Sequence, residues 1–365
     1  MDQTSKEVKS LTSLRAVGAG LVFFYHVIYL RHPVPATNVF DAIIQSGFIG
    51  VSIFFVLSGF GLTLGYYRQI ENGTFKWGSY LKRRGARILP LYYLLLAGIA
   101  IWGVPLNITN VTLIQGFFSK LHQTGIIVAW SLTVEITFYF LLPFALAVIV
   151  KFKRLWSIGL ALIVWSAVML GLGLLLMSYS DVTGLARPAG FLGNPAFIVH
   201  RTIFGYIFDF SVGIFASVLY LRRGRPYSVN VSTLLNIVGV FGLLGFEILM
   251  CRYPDSLSRR ILMYGADICI GVLIISLTCE TTVLARVLSW SPVVYLGRIS
   301  YGVYLIQLTQ LLWFMSNWPP VLFYVGTTLI SAALYQFYEE PVRKLLLRKP
   351  KPPQQVLRRE TELAH

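Results

Sequence analysis

Ile43-Ile44-Gln45-Ser46-Gly47-Phe48-Ile49-Gly50-Val51-Ser52-Ile53-Phe54-Phe55-Val56-Leu57-Ser58-Gly59-Phe60-Gly61-Leu62-Thr63-Leu64 carries no charged side chain from end to end. A helix needs roughly 18 or more such residues to cross a hydrocarbon layer about 30 Å thick. The stretch is therefore long enough to span a bilayer. Working outward, nine further apolar blocks are bounded by charge, Gly and Pro: Leu11 to Leu30, Ile88 to Val104, Ile126 to Val150, Leu155 to Met177, Ala196 to Leu221, Val231 to Met250, Ile261 to Thr278, Val293 to Met315 and Pro320 to Tyr338. These are too many to be one buried core, and no long soluble domain is left over.

Composition agrees. Of 365 residues 56% are apolar and 13% charged, about half the charged share of a soluble globular protein. The expected fold class is all-α: a polytopic membrane protein of about ten transmembrane helices with both termini cytosolic. Residues 1–341 form the transmembrane domain in this reading, and 342–365 a basic, Pro-containing, disordered cytosolic tail. The first apolar block has no small-residue cleavage site and is read as a retained helix.

The net charge of +16 raises nucleic acid as a partner, but the basic residues sit in short clusters between apolar blocks, not on a polar groove. With the N-terminus inside, 24 of the 31 Lys and Arg fall on the cytosolic side, the remainder being Arg31, Lys120, Arg187, Arg201, Arg252, Arg259 and Arg260. That is the positive-inside pattern. The longest outer loops, Pro105 to Gly125 and Ser178 to Pro195, are placed to cover an external site. Cys251, Cys269 and Cys279 show neither a disulfide framework nor metal-ligand spacing, so no metal is expected.

Ionisable residues inside a bilayer are costly and point to function. The deepest are His26, Glu135, Asp209, Glu247 and Asp267, with Arg15 at the inner edge of the first helix. Arg15 and His26 are eleven positions apart, three turns plus about 20°, so they share a face about 16 Å apart along the axis. An imidazole suits proton abstraction from a hydroxyl near neutral pH. The alternative is a hydrogen-bonded core His26 and an Arg15 that snorkels to headgroups. Glu135 lies at a depth similar to His26 and is a candidate partner that fixes its tautomer; a buried Glu held by Ser131 is the other reading. Arg84 and Arg87, in the cluster Lys82-Arg83-Arg84-Gly85-Ala86-Arg87, suit donor phosphates or serve only as topology signal and lipid anchor. Asp209, Glu247 and Asp267 read as core hydrogen-bonding groups.

Four stretches together resemble the acyltransferase-three family of integral-membrane O-acyltransferases. They are Leu11-Thr12-Ser13-Leu14-Arg15-Ala16 with Phe24-Tyr25-His26, Gly50 to Phe60, Arg84-Gly85-Ala86-Arg87-Ile88-Leu89-Pro90, and Trp130-Ser131-Leu132 with Glu135. Weaker echoes are Phe210 to Gly213, Gly297 to Leu305, and Tyr338-Glu339-Glu340-Pro341. Gln307 departs from the pattern, where many members carry His, and no attached hydrolase-like domain of the kind some relatives carry is expected. The resemblance implies transfer of an acyl group, often acetyl, from cytosolic acyl-CoA to a hydroxyl of a sugar or glycan, such as an exopolysaccharide or O-antigen unit, in a bacterial inner membrane. It places His26 and Glu135 in catalysis and Arg15, Arg84 and Arg87 at the acyl-CoA, with membrane lipid as surroundings. A secondary transporter or flippase for a glycan or small anion is the rival class; the lack of an internal repeat weighs against it.

Overall fold

The computed structural model describes residues 8–31, 33, 35–183, 190–253 and 255–348. The helices in chain order are α1 (Lys9–Phe24), α2 (Val39–Gln45), α3 (Gly50–Glu71), α4 (Trp77–Ile101), α5 (Ile108–Val111), α6 (Trp130–Ile149), α7 (Leu155–Thr183), α8 (Pro195–Arg201), α9 (Ile203–Arg223), α10 (Val229–Arg252), α11 (Ser256–Leu277), α12 (Val283–Leu288), α13 (Ser291–Ile306), α14 (Pro320–Leu334) and α15 (Glu340–Leu347). Among the described residues there is no strand, only an isolated bridge between Phe118 and Phe191.

Among the described residues nine helices, some continued through a short turn, are long and apolar enough to cross a membrane. The chain is an integral membrane protein. The tenth apolar block, Val293 to Met315, is divided: α13 has 16 residues, and a 3-10 turn follows at Gln310–Met315. Residues 342–347, read from the sequence as the start of the tail, continue α15, while 349–365 lie outside the described residues.

Burial separates centre from periphery. The most apolar windows of α3 and of α8 with α9 are 72% and 78% buried, against 17% for α7. Exposed Leu160, Ile163, Val164, Val168, Leu172 and Leu175 run along α7, the apolar stripe a lipid-facing helix presents. Because lipid is as apolar as Leu, the central helices associate through close packing, and small residues let their backbones approach. A Cβ on Gly213 would stand 2.1 Å from the Val56 carbonyl oxygen, and one on Gly59 would stand 2.4 Å from that of Phe210, so α3 and α9 meet backbone to backbone. The ring of Phe210 then stacks on Phe138 of α6 at 3.8 Å between centroids.

Local signals set the helix ends at the His26 end of the bundle. Asn194 caps α8 by accepting from the Phe197 N–H, and Pro195 follows at the first position; the N–H that proline lacks is one a helix start leaves unpaired. Thr202 breaks α8 from α9 with extended φ −120° and ψ 164°. The connections before α6 and before α8 meet: the Ser119 N–H donates to the Gly190 carbonyl and the Leu192 N–H to that of Phe117, each at 2.8 Å.

Gly213→Ala is expected to lower stability by about 1–3 kcal/mol, the usual cost of overpacking. Gly61→Ala on α3, where a Cβ meets nothing within 4 Å, is expected to leave it unchanged or slightly raised. Thermal unfolding of the two purified variants in detergent checks the pair.

Candidate active site

Three cavities follow one another along α1 and α13. The first, about 350 Å³, is lined by Arg15, Arg87, Arg298, Tyr301, Glu339 and Arg343 among others. Arg15, Arg87 and Tyr301 also line the second, about 60 Å³, together with Ser58, Glu135 and Tyr304. Tyr304 and Val51 belong in turn to the third, about 460 Å³, which holds His26. Arg15 and His26, eleven residues apart on one helix, thus line different cavities in a row whose neighbours share wall residues.

The charged end is held by hydrogen bonds. Glu135 accepts from Ser58 Oγ at 3.0 Å and from the Tyr139 hydroxyl at 2.6 Å. It lines the small cavity with both Arg15 and Arg87, a counter-charge for two cations in an interior that tolerates neither alone. Arg84 stands nearby on α4, its guanidinium 6.0 Å from the Tyr66 ring centre, with its Nε buried and without a hydrogen-bond partner.

His26 lies in a single π-helical turn, Tyr25–Tyr29, that continues α1; such turns gather at functional sites. Its Nδ1 is 3.4 Å from Gln307 Oε1. The Gln307 amide donates through Nε2 to the Tyr304 carbonyl at 2.9 Å, which leaves its oxygen facing the ring. An acceptor there favours a proton on Nδ1 and leaves a lone pair on Nε2. Tyr304, between the small and outer cavities, shares a hydrogen bond with Ser131 Oγ at 2.7 Å and packs edge-on to Phe54 at 5.6 Å.

The outer cavity also receives Trp130, Arg201, Tyr206 and Arg259. The Arg201 guanidinium sits over the Trp130 ring, 4.7 Å from its centre. Behind this wall lies an ion pair between Arg260 and Asp209 at 2.8 Å, the side chains 1% and 0% exposed. Ser52 Oγ donates to the other Asp209 oxygen at 2.6 Å, and Arg260 donates to the Gly205 carbonyl at 2.5 Å. The Arg260 guanidinium lies between the rings of Tyr206 and Tyr264, 4.5 Å from each.

The structure therefore brings Arg15, Arg87 and Glu135 together, sets Arg84 beside them, and places His26 in the cavity at the other end of the row. It does not pair Glu135 with His26, as the sequence reading expected. Trp130 marks the level of the outer cavity, and Glu135, five residues further along α6, lies about 7.5 Å deeper at the rise of a helix. Gln307 takes the place expected for the acid. Asp209, read as a core hydrogen bonder, is one half of an ion pair whose other half, Arg260, had been counted among outer loop charges. Arg201 and Tyr304 carried no sequence signal that singled them out. Arg260 stands one residue before the apolar block Ile261 to Thr278, where the sequence alone does not separate a loop cation from a buried one.

The chain matches the profile of the family described as "Acyltransferase domain" over residues 8–336. It is 25% identical to the peptidoglycan O-acetyltransferase OatA of Listeria monocytogenes over 378 residues, covering 93% of this chain and 56% of that protein. Nodulation protein 10 of Rhizobium leguminosarum is 29% identical over 168 residues, 37% of this chain and 43% of that one. Protein 2 in picA locus of Rhizobium radiobacter is 37% identical over 98 residues, 27% of this chain and 47% of its own length. The chain thus spans about half the length of the Listeria protein. No solved structure matches.

Removing one partner of a buried ion pair leaves the other charge uncompensated, at a cost of about 3–5 kcal/mol, whereas an apolar replacement of both is far milder. Asp209→Leu and Arg260→Met are each expected to destabilise strongly, and the double variant to cost much less than their sum. A double-mutant cycle from unfolding in detergent reads the coupling.

Proposed function

The chain belongs to this acyltransferase family, and on that premise we propose that it is a membrane-embedded O-acyltransferase moving an acyl group, acetyl first among them, from cytosolic acyl-CoA to a sugar or glycan hydroxyl. The single observation that carries the reading is the row of adjacent cavities with arginines at one end and an imidazole at the other. In this proposal both termini and the arginine end face the cytosol of a bacterial inner membrane, and the transmembrane domain occupies residues 1–341. The relatives support the acceptor class, since one bears the name of a peptidoglycan O-acetyltransferase.

Arg87 and Arg15, with Arg84 beside them, hold the donor's phosphates at the inner mouth. Arg–phosphate pairs are charge-assisted and directional. The acyl-pantetheine arm, flexible and narrow, passes the constriction beside Tyr304 and delivers the thioester to His26. Glu135 keeps the two arginines charged and in place. His26, its Nδ1 turned to Gln307, accepts the acceptor's hydroxyl proton at Nε2 as the hydroxyl oxygen bonds to the thioester carbon. The carbon–sulfur bond then breaks, and the proton passes from His26 to the departing sulfur, leaving an O-ester and free CoA thiol. Walls of apolar and aromatic side chains limit hydrolysis of the thioester.

The middle cavity, about 60 Å³, is too small for a sugar, which favours group transfer across the path over passage of a glycan along it. His26→Ala is expected to cut acyl transfer by roughly 10²- to 10⁴-fold, the range for losing a general base, with membrane insertion unchanged. Normal transfer of radiolabelled acetyl by this variant would remove the catalytic assignment. Arg87→Ala is expected to weaken binding of acetyl-CoA by roughly 10- to 100-fold, as for a lost hydrogen bond to a charged group; binding of the labelled donor to purified protein measures it. Mass spectrometry of surface glycans from a deletion strain identifies acyl group and acceptor together.

A further inference from the structure

The outer cavity is large, about 460 Å³, and its lining includes Arg201, Arg259, His26 and His200 but no Asp or Glu among the described residues. A site that offers a neutral sugar only hydrogen bonds has no need of fixed positive charge. Arg201 in particular is built into the wall. It is the last residue of α8, the extended Thr202 follows it, and Gly205 admits this break, because a Cβ there would stand 2.1 Å from the Val199 carbonyl oxygen. The Trp130 face, 4.7 Å from the guanidinium carbon, covers one side of a planar group that hydrogen-bonds through its edge. Among the described residues no carboxylate forms an ion pair with it.

The geometry points to an acidic acceptor: the outer cavity takes a saccharide bearing a carboxylate or phosphate on or next to the sugar that is acylated, and Arg201 reads that group. The inference rests on the acyltransferase reading and narrows its acceptor class. It divides the anion-binding work between the two ends of the path, the donor's phosphates meeting Arg15 and Arg87 and the acceptor's acid meeting Arg201. The hydroxyl to be acylated then lies beside His26 because the acid has been fixed across the cavity from it.

The test uses the full chain in nanodiscs and two probes that differ by charge alone, a tetrasaccharide of N-acetylglucosamine and glucuronate and the same compound after reduction of its carboxyls. Equilibrium binding is measured without donor, and acyl transfer with acetyl-CoA. The expected result is tighter binding and lower KM for the acidic form by roughly 10- to 100-fold, the span for a hydrogen bond to a charged group. Arg201→Gln is expected to collapse that preference and Arg201→Lys to keep part of it. A variant that misfolds loses both probes alike, so the ratio, and donor binding in the same sample, separates recognition from folding. Equal affinity of the wild-type protein for the two probes, or an undiminished preference in Arg201→Gln, overturns the inference. Transfer to both with equal KM would leave the acyltransferase reading standing; charge-selective binding without any transfer would do the reverse. Competition by free glucuronate against glycerol phosphate tells carboxylate from phosphate, and neutral against anionic lipid in the disc tells an acceptor from a headgroup.

Discussion

A charge placed in hydrocarbon has to find its counter-charge, or a path to water, inside the protein. The arrangement of helices follows from that constraint. Arg260 and Asp209 meet at 2.8 Å with almost no exposed surface, and their hydrogen bonds reach Ser52 on α3 and Gly205 at the start of α9. The pair thereby ties three helices at the level where the chain breaks at Thr202 and turns Arg201 inward. On the far side of the bundle Glu135 meets the same demand for Arg15 and Arg87. The helices without such obligations, α7 foremost, are left to face lipid with apolar side chains.

Between these two charged levels the chemistry is divided by distance. Arg15 and His26 lie on one helix but line separate cavities, whose walls share Tyr304 and Val51. The donor proposed above, long and thin, suits such a layout, since its anionic head would stay at one mouth while its reactive end reached the other. Gln307 matters here because it sits at the end of α13, directly beneath His26, and its amide is oriented by the Tyr304 carbonyl. One side chain thus links the gatekeeper of the constriction to the tautomer of the base.

Most of the architecture was legible from apolar block lengths, because a bilayer imposes one length scale on every span. The block from Val293 to Met315 shows the limit of that signal, for hydropathy does not reveal where α13 stops at Ile306 and the backbone tightens into a 3-10 turn. Arg15, His26 and Glu135 stood out because ionisable groups are rare in such blocks, and Arg84 and Arg87 because they belong to a basic cluster just before one. Their pairing did not, since the depth of Glu135 depends on where α6 begins relative to the short 3-10 turn before it, Ile127–Ala129. Arg260 was misplaced for a related reason: near the end of an apolar block, a loop cation and a buried one look alike until the opposing helix is known. Arg201 was invisible as a site residue because its direction is set by a backbone break, not by a helical period.

The constriction has a consequence for the cell's energy supply. A bacterial plasma membrane stores work as a gradient of protons, and any continuous thread of water through a protein would drain it. The space beside Tyr304, about 60 Å³, has room for only a few water molecules. A neck this narrow limits the water that can thread the protein, so the donor route proposed above would not by itself drain the gradient.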